Sequence, residues 1–354
     1  MNADVPSLSV VFENPRHGTG VHRYSMAIIQ ALRFASVKFK EYPIKMMQFS
    51  FKGKPYGGWI SQLIGAHMSG AKGNVVHSTS PQVITTGTNL VTVHDLIRYK
   101  FPELYPSSSL DRKYAMRLLQ RAIGMERIST VSDHVRNDLM QLYGVADEKI
   151  DTVYTFIDRN MFFPDSKNPY PEDGKFHVVT VTDFNPRKKT YDIADSLAGN
   201  PDIDLYVIGR KDIWPIQYSR VEAIAKIHRN VHLLGYLTTD VLRSYLSSSD
   251  LYIAFSLDEG IGIPPVEAMA CGTNVLANDI AVHREFLGTM AFYFRDKEHL
   301  VDSVMQSLHG KKSREELVSF SKKYSVEATA RQILSSYAKI DGRFGRYLEN
   351  LISS

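Results

Sequence analysis

The sequence predicts an α/β protein built from two Rossmann-like, doubly wound parallel-sheet halves, and three observations carry that expectation. At 354 residues the chain is about twice a domain of roughly 150 residues. Short apolar runs of strand character recur along it, and continuous apolar runs suit strands buried on both faces. Segments at helical spacing separate these runs, and strand–helix–strand alternation is the pattern of a parallel sheet with helices on its faces.

The strand-like runs are 8–12, 75–77, 90–93, 128–131, 178–181, 205–208, 231–234, 251–255 and 275–277. Helical spacing shows at Tyr24, Ile28, Ala31, Leu32 and Ala35, and again at Leu110, Tyr114, Arg117, Leu118 and Arg121. The pattern breaks at 158–175, DRNMFFPDSKNPYPEDGK, where Asn, Pro, Asp, Ser and Gly crowd together. This predicts a first domain over 1–165 and a second over 166–330. The segment 331–354 is helical in composition and is expected to pack back on the first domain. Ligands of such sheets bind at the carboxyl ends of the strands, so the two halves are expected to face each other across a cleft.

Composition narrows the class. Hydrophobic residues make up 44% and charged residues 23%, which excludes a disordered, collagen-like or coiled-coil chain. The 42 basic side chains against 38 acidic ones leave a net charge of +4, spread too evenly for a nucleic-acid footprint. The single cysteine, Cys271, fits a reducing, cytoplasmic compartment. No apolar run approaches 18 residues, and residues 1–9 lack the layout of a signal peptide.

The most informative string is SLDEGIGIPPVEAMACGTNVLA, residues 256–277. It follows a buried strand. Gly260 and Gly262 let backbone approach a ligand, Pro264 and Pro265 suit a helix start, and a helix N-terminus favours an anion such as a diphosphate. Glu259 and Glu267 flank the loop, with Glu267 expected in the first helical turn. Read in isolation, Glu267 does no more than complement the helix dipole and Glu259 caps a turn. Carboxylates beside an anion site make chemical sense when the ligand also offers hydroxyls, as a nucleotide sugar does.

The string DEGIGIPPVEAMACGT resembles the donor-binding signature of the retaining glycosyltransferases of family 4, which have the GT-B fold. The resemblance implies that Glu259 contacts hydroxyls of the donor sugar and Glu267 the ribose hydroxyls. It also implies that the amides of Gly260, Ile261, Gly262 and Ile263 meet the sugar and diphosphate. Three further segments are similar to that family. VTVTDFNPRKKTYDIADSL ends a strand with Arg187 and Lys188, placed to neutralise a leaving diphosphate, but has Thr182 and Asp183 where the family has Gly-Arg. ENPRHGTGVHRYSMAIIQAL carries Gly18 and Gly20 in a loop expected near the diphosphate. LVTVHDLIRYKFPELY places His94, which the family turns toward the reacting sugar, at a strand end. Main chain around Tyr236 is expected beside the nucleobase. Similarity runs over about 8–294 and finds no landmark in 41–73.

The implied function is transfer of a hexose, mannose from GDP-mannose as first choice, to a hydroxyl of a glycan, glycoprotein or glycolipid. HDLIRYKFPE is nearest the mannosyltransferase-like branch. No cofactor or metal is expected, since the histidines show no pairing with Cys or carboxylates at metal-ligand spacing. A peripheral membrane contact stays open through Lys113, Arg117, Arg121 and Arg127. The alternatives are a UDP-glucose-type donor, a nucleotide-sugar epimerase, and a silent nucleotide-sugar binding module suggested by Asp183.

Overall fold

The structure, a computed structural model, describes residues 5–14, 20–45, 49–51, 54–56, 68–105 and 109–353. The chain divides into two compact units, Met1–Phe156 with Tyr324–Ser354, and Ile157–Lys323.

In the first unit six strands form one parallel sheet: β1 (Leu8–Asn14), β2 (Lys40–Lys45), β5 (Val75–Ser78), β6 (Leu90–Val93), β7 (Arg127–Thr130) and β8 (Ile150–Thr152). Their order is β2-β1-β5-β6-β7-β8, so the order reverses between β1 and β5. A small antiparallel pair, β3 (Phe49–Phe51) and β4 (Lys54–Tyr56), lies outside this sheet. The inner strands β5 and β6 are buried at every position, the polar His77, Ser78 and Thr92 included. Local signals set the helices: Ser132 accepts from the Val135 amide to start the helix Asp133–Tyr143, and Gly144 at φ 64° ends it in the left-handed region.

The second unit repeats the plan with β9 (Phe176–Val181), β10 (Ile203–Ile208), β11 (Val231–Gly235), β12 (Leu251–Ala254), β13 (Val275–Asn278) and β14 (Phe292–Phe294). Its order, β11-β10-β9-β12-β13-β14, is parallel throughout. This is the dinucleotide-fold order, and its switch point lies between β9 and β12. Helices Thr190–Leu197, Pro215–Ile227 and Leu300–His309 cover one face and close a core that includes Val178, Leu205, Ile253 and Leu276.

All nine strand-like runs of the sequence are strands. The strands that the sequence did not announce sit at or beside sheet edges. β2 contains Pro43, which an edge tolerates because one side of the strand needs no ladder donor; β8 and β14 are three residues each. The division between units falls at residue 157, ahead of the expected 165. The polar stretch after it is bound into the second unit: Ser247 Oγ accepts from the Asp165 amide at 3.0 Å, and the Tyr170 hydroxyl donates to the Tyr245 carbonyl at 3.1 Å.

From Tyr324 onward the chain belongs to the first unit. There the helix Val326–Ala338 packs on the helix Gly20–Phe34. The Tyr337 hydroxyl meets His77 Nδ1 at 2.9 Å, Gln332 accepts from the Tyr154 amide at 2.9 Å, and Ser336 and Lys339 both donate to Asp151.

Candidate active site

The second unit assembles its site at the switch point. β9 ends at Val181, and the next residues make successive tight turns. Thr182 Oγ1 accepts from the Phe184 amide at 2.9 Å, Asp183 Oδ1 from the Asn185 amide at 3.0 Å, and Asn185 Oδ1 from the Arg187 amide at 3.2 Å. Phe184 takes a left-handed φ of 60°, and its ring is buried in the core. That buried ring anchors a backbone shape which a non-glycine residue rarely adopts. The turn ends in a 3-10 segment, Pro186–Lys188, presenting Arg187 and Lys188.

Across the switch point, the end of β12 delivers Ser256. Asn278 at the end of β13 grips its main chain twice, accepting from the Ser256 amide at 3.0 Å and donating to its carbonyl at 2.8 Å. Two further bonds join this loop to the first: Leu257 N–H donates to the Arg187 carbonyl at 2.8 Å, and Arg187 Nη1 donates to the Asp258 carbonyl at 2.9 Å.

Glu259 is the centre of the cluster. It is 6% exposed, forms ion pairs with both Arg187 and Lys188, and accepts from Ser256 Oγ at 2.7 Å. Burial alone raises a carboxyl pKa, but Arg187 and Lys188 together outweigh burial and hold this group well below the usual carboxylate range. A carboxylate so held is a weak base. The set Arg187, Lys188 and Glu259 carries one net positive charge, a fit for a diphosphate.

The Gly-rich loop then turns at Gly262, φ 73°, into the helix Ile263–Ala270, whose start no side chain caps. Pro264 and Pro265 have no N–H, so of the four amides a helix start ordinarily offers, only Ile263 and Val266 supply one. The amides open to a ligand here are therefore mainly those of the loop. A Cβ on Gly262 would lie 3.7 Å from His283 Cδ2. His283 is buried, its Nδ1–H donates to the Asn278 carbonyl at 2.9 Å, and burial lowers its pKa. A narrow cavity is lined by Thr182, Lys188, Ser256, Glu259, Gly262 and His283.

Several expectations change in detail. Glu267 is the fifth residue of its helix, 2% exposed, so it lies beyond the first turn, where a dipole role would place it. It is close enough to Tyr252 and Cys271 to act on both electrostatically. Burial pushes the Cys271 thiol up to about 12, which makes it a packed, unreactive residue. Asp183 is part of the turn that presents Arg187 and Lys188. Tyr236, just past β11, is 73% exposed, an open ring at a carboxyl strand end.

In the first unit His94 follows β6. Its Nε2–H donates to the Thr79 carbonyl at 2.7 Å, the Tyr24 ring meets it edge-on at 5.0 Å, and burial lowers its pKa. The imidazole is thus neutral near pH 7 with Nδ1 as the acceptor nitrogen. Gly20 is the first residue of its helix; Gly18 lies outside the described residues. Two further buried or tightly packed positions went unmarked in the sequence. Glu13, at the end of β1, is buried with its pKa raised by desolvation, and takes a 2.5 Å bond from Ser80 Oγ. Gly209, following β10, passes so near the Thr182 carbonyl that a Cβ would stand 1.9 Å from it.

Residues 163–324 match the family model described as "Glycosyl transferases group 1". The second unit is a group 1 glycosyltransferase domain. Arg187, Lys188, Glu259 and Glu267 all fall inside the matched residues.

The chain is 28% identical over 207 residues to the O-antigen chain mannosyltransferase RfbU of Salmonella typhimurium, covering 57% of this chain and 55% of that protein. It is 23% identical over 212 residues to the serotype-specific mannosyltransferase WbdA of Escherichia coli, covering 55% of this chain and 26% of that one. The chain therefore spans about half or less of these relatives. Among solved structures, the sucrose-phosphate synthase of Thermosynechococcus elongatus aligns with a TM-score of 0.74 at 16% identity, over 95% of this chain and 99% of that one. WaaG, a glycosyltransferase involved in lipopolysaccharide biosynthesis, aligns with a TM-score of 0.67 at 14% identity, over 95% and 100%. These matches show the GT-B fold.

Proposed function

We propose that the protein is a retaining glycosyltransferase that moves mannose from GDP-mannose to a hydroxyl of a glycan, glycoprotein or glycolipid, with no metal at the reacting atoms. The observation that carries this reading is the cluster of Arg187, Lys188 and Glu259 between the ends of β9 and β12, inside the group 1 domain. The mannosyltransferase relatives support the choice of sugar.

Charge develops on the β-phosphate oxygens as the glycosidic bond breaks. Arg187, Lys188 and the amides of Gly260 to Ile263 are the preorganised donors for it, and one such donor is typically worth ~3 kcal/mol. Glu259 holds the two cations in place and offers its carboxylate to the sugar hydroxyls. Because two cations depress its basicity, it is a poor acceptor for the proton of the attacking hydroxyl. That proton passes to the departing phosphate oxygen, so attack comes from the face the leaving group vacates and configuration is retained. Glu267 takes the ribose hydroxyls, main chain around Tyr236 meets the base, and His94 supplies an Nδ1 acceptor for a sugar hydroxyl.

Calorimetric titration with GDP-mannose, UDP-glucose, UDP-GlcNAc and the free nucleotides tests the donor. GDP-mannose is expected to bind tightest, and preference for a uridine donor rejects it. NMR of the product's anomeric centre tests the stereochemistry, with an inverted linkage as the refuting result.

A further inference from the structure

The opposite edge of the second sheet, where the strands begin, holds a second constellation that takes no part in the reaction above. His177 is the second residue of β9, Asp204 the second of β10, and His232 the second of β11. Asp204 pairs directly with His177 in the ladder. Asp173, four residues before His177, approaches the same place. Asp173, His177 and Asp204 bring one ligand atom each to within 4.8 Å of one another.

His177 is 9% exposed and Asp204 4%. The Nε2 atoms of His177 and of His232 are buried and have no hydrogen-bond partner. Each nonetheless points at a carboxylate, His177 Nε2 lying 3.7 Å from Asp173 Oδ1 and His232 Nε2 3.5 Å from Asp204 Oδ2. Two orphaned imidazole nitrogens are costly for no purpose, since a buried polar atom without a partner costs about 1–3 kcal/mol. Those separations are too long for good hydrogen bonds. They are close to the roughly 3.3 Å that separates neighbouring ligand atoms around a tetrahedral ion with bonds of about 2.0–2.1 Å. The rings are also held: His177 stacks on Tyr170 at 4.3 Å and His232 on Tyr206 at 4.6 Å.

The geometry points to a binding site for a borderline divalent cation of the zinc class, formed by Asp173, His177 and Asp204 with water closing the fourth position. Imidazole nitrogens select zinc, cobalt or nickel over magnesium and calcium, which prefer all-oxygen sets. Lys175 is the competitor, its ammonium lying 2.9 Å from Asp204 Oδ1; it is partly exposed and swings into water when the ion enters. A six-residue strand is roughly 16–20 Å long, so the ion sits about that far from the Lys188 end of the sheet. Its role is to fasten the segment at Asp173 to β9 and β10. The site thus stands independently of the glycosyl-transfer reading.

Chelator-stripped protein without a histidine tag is titrated with Zn2+, Co2+ and Mg2+ by calorimetry, with bound metal counted by mass spectrometry. We expect one Zn2+ or Co2+ per chain, no Mg2+ uptake, the visible bands of four-coordinate cobalt, and a raised unfolding midpoint. His177→Ala should weaken zinc binding by at least the roughly 10- to 100-fold that loss of an outer-shell partner costs. Lys175→Ala should tighten it, because the competing ammonium is gone. Tightening is a result that a merely structural Lys–Asp pair does not produce. Absence of stoichiometric zinc in both the wild type and Lys175→Ala, or equal binding by His177→Ala, overturns the proposal. If His177→Ala does not fold, Asp173→Asn, at the exposed ligand, replaces it, and unchanged affinity there also overturns the site.

Discussion

At the scale of single residues, Glu259 and Lys188 separate two jobs. Lys188→Ala removes a cation from the departing phosphate and should lower kcat by about 10²–10³-fold, with weaker binding of the free nucleotide diphosphate. Glu259→Ala keeps both cationic side chains and removes the negative charge between them, so nucleotide diphosphate binding should survive while transfer falls by about 10²-fold. Steady-state kinetics beside calorimetry reads that split. Near-normal turnover in both variants would remove the cluster from the mechanism. The glutamates and the basic pair were legible in the sequence because their spacing follows a strand and a Gly-rich loop. The mutual ion pairing was not, because residues 187 and 259 are brought together by β9 and β12 lying side by side, a fact of strand order that no local pattern encodes. Glu13 was passed over for the same reason, since its partner Ser80 is 67 residues away.

At the scale of elements, buried strands were legible and edge strands were not. β12 is buried at every position and reads as a continuous apolar run, and β6 does so but for Thr92; β2, β8 and β14 have a neighbour on one side only and carry a weaker pattern. Gly209 shows how an element transmits geometry to the site. The start of the loop after β9 lies against the residue after β10, with room for no side-chain carbon. Gly209→Ala should therefore shift the Thr182–Lys188 turn. We expect loss of nucleotide-sugar binding by at least about tenfold, that is roughly 1.4 kcal/mol, with the far-ultraviolet spectrum kept. Full binding by the variant would mean that the turn moves freely of the Thr182 carbonyl. The one-residue-scale signal, a glycine after a strand, was present in the sequence but indistinguishable there from an ordinary turn.

At the scale of the whole molecule, buried histidines and buried ion pairs both weaken the fold as pH falls, over different pH ranges. His77 is enclosed by Tyr337 and Thr92, and burial pushes it down to about 3 from 6.5; His94 and His283 are lowered as well. The unfolded chain takes up these protons below about pH 6.5 and the native state does not. Stability present at neutral pH therefore declines as pH falls, by about 1.4 kcal/mol per pH unit from His77 alone until its folded value is reached. Asp151 acts over a lower range. Burial opposes its ionisation, but Lys339, Arg127 and Ser336 lower its pKa overall, so its contribution holds above the ordinary carboxylate range and fades only as pH drops below it. Urea unfolding at steps from pH 7.5 to 4.5 should show the decline, with a flatter slope in His77→Asn. An unchanged slope would count against the buried neutral imidazole. Asp151→Asn should cost about 3 kcal/mol at neutral pH without altering that slope.

The helix Val326–Ala338 carries a consequence for how the chain acquires its structure. His77 and Asp151, made early, find Tyr337, Ser336 and Lys339 only after the entire group 1 domain has left the ribosome. The second unit can complete its sheet from one continuous stretch, whereas the first must wait with a histidine and an aspartate lacking their final partners. The later-made half is thus the one free to fold first, reversing the usual amino-terminal order of synthesis-coupled folding.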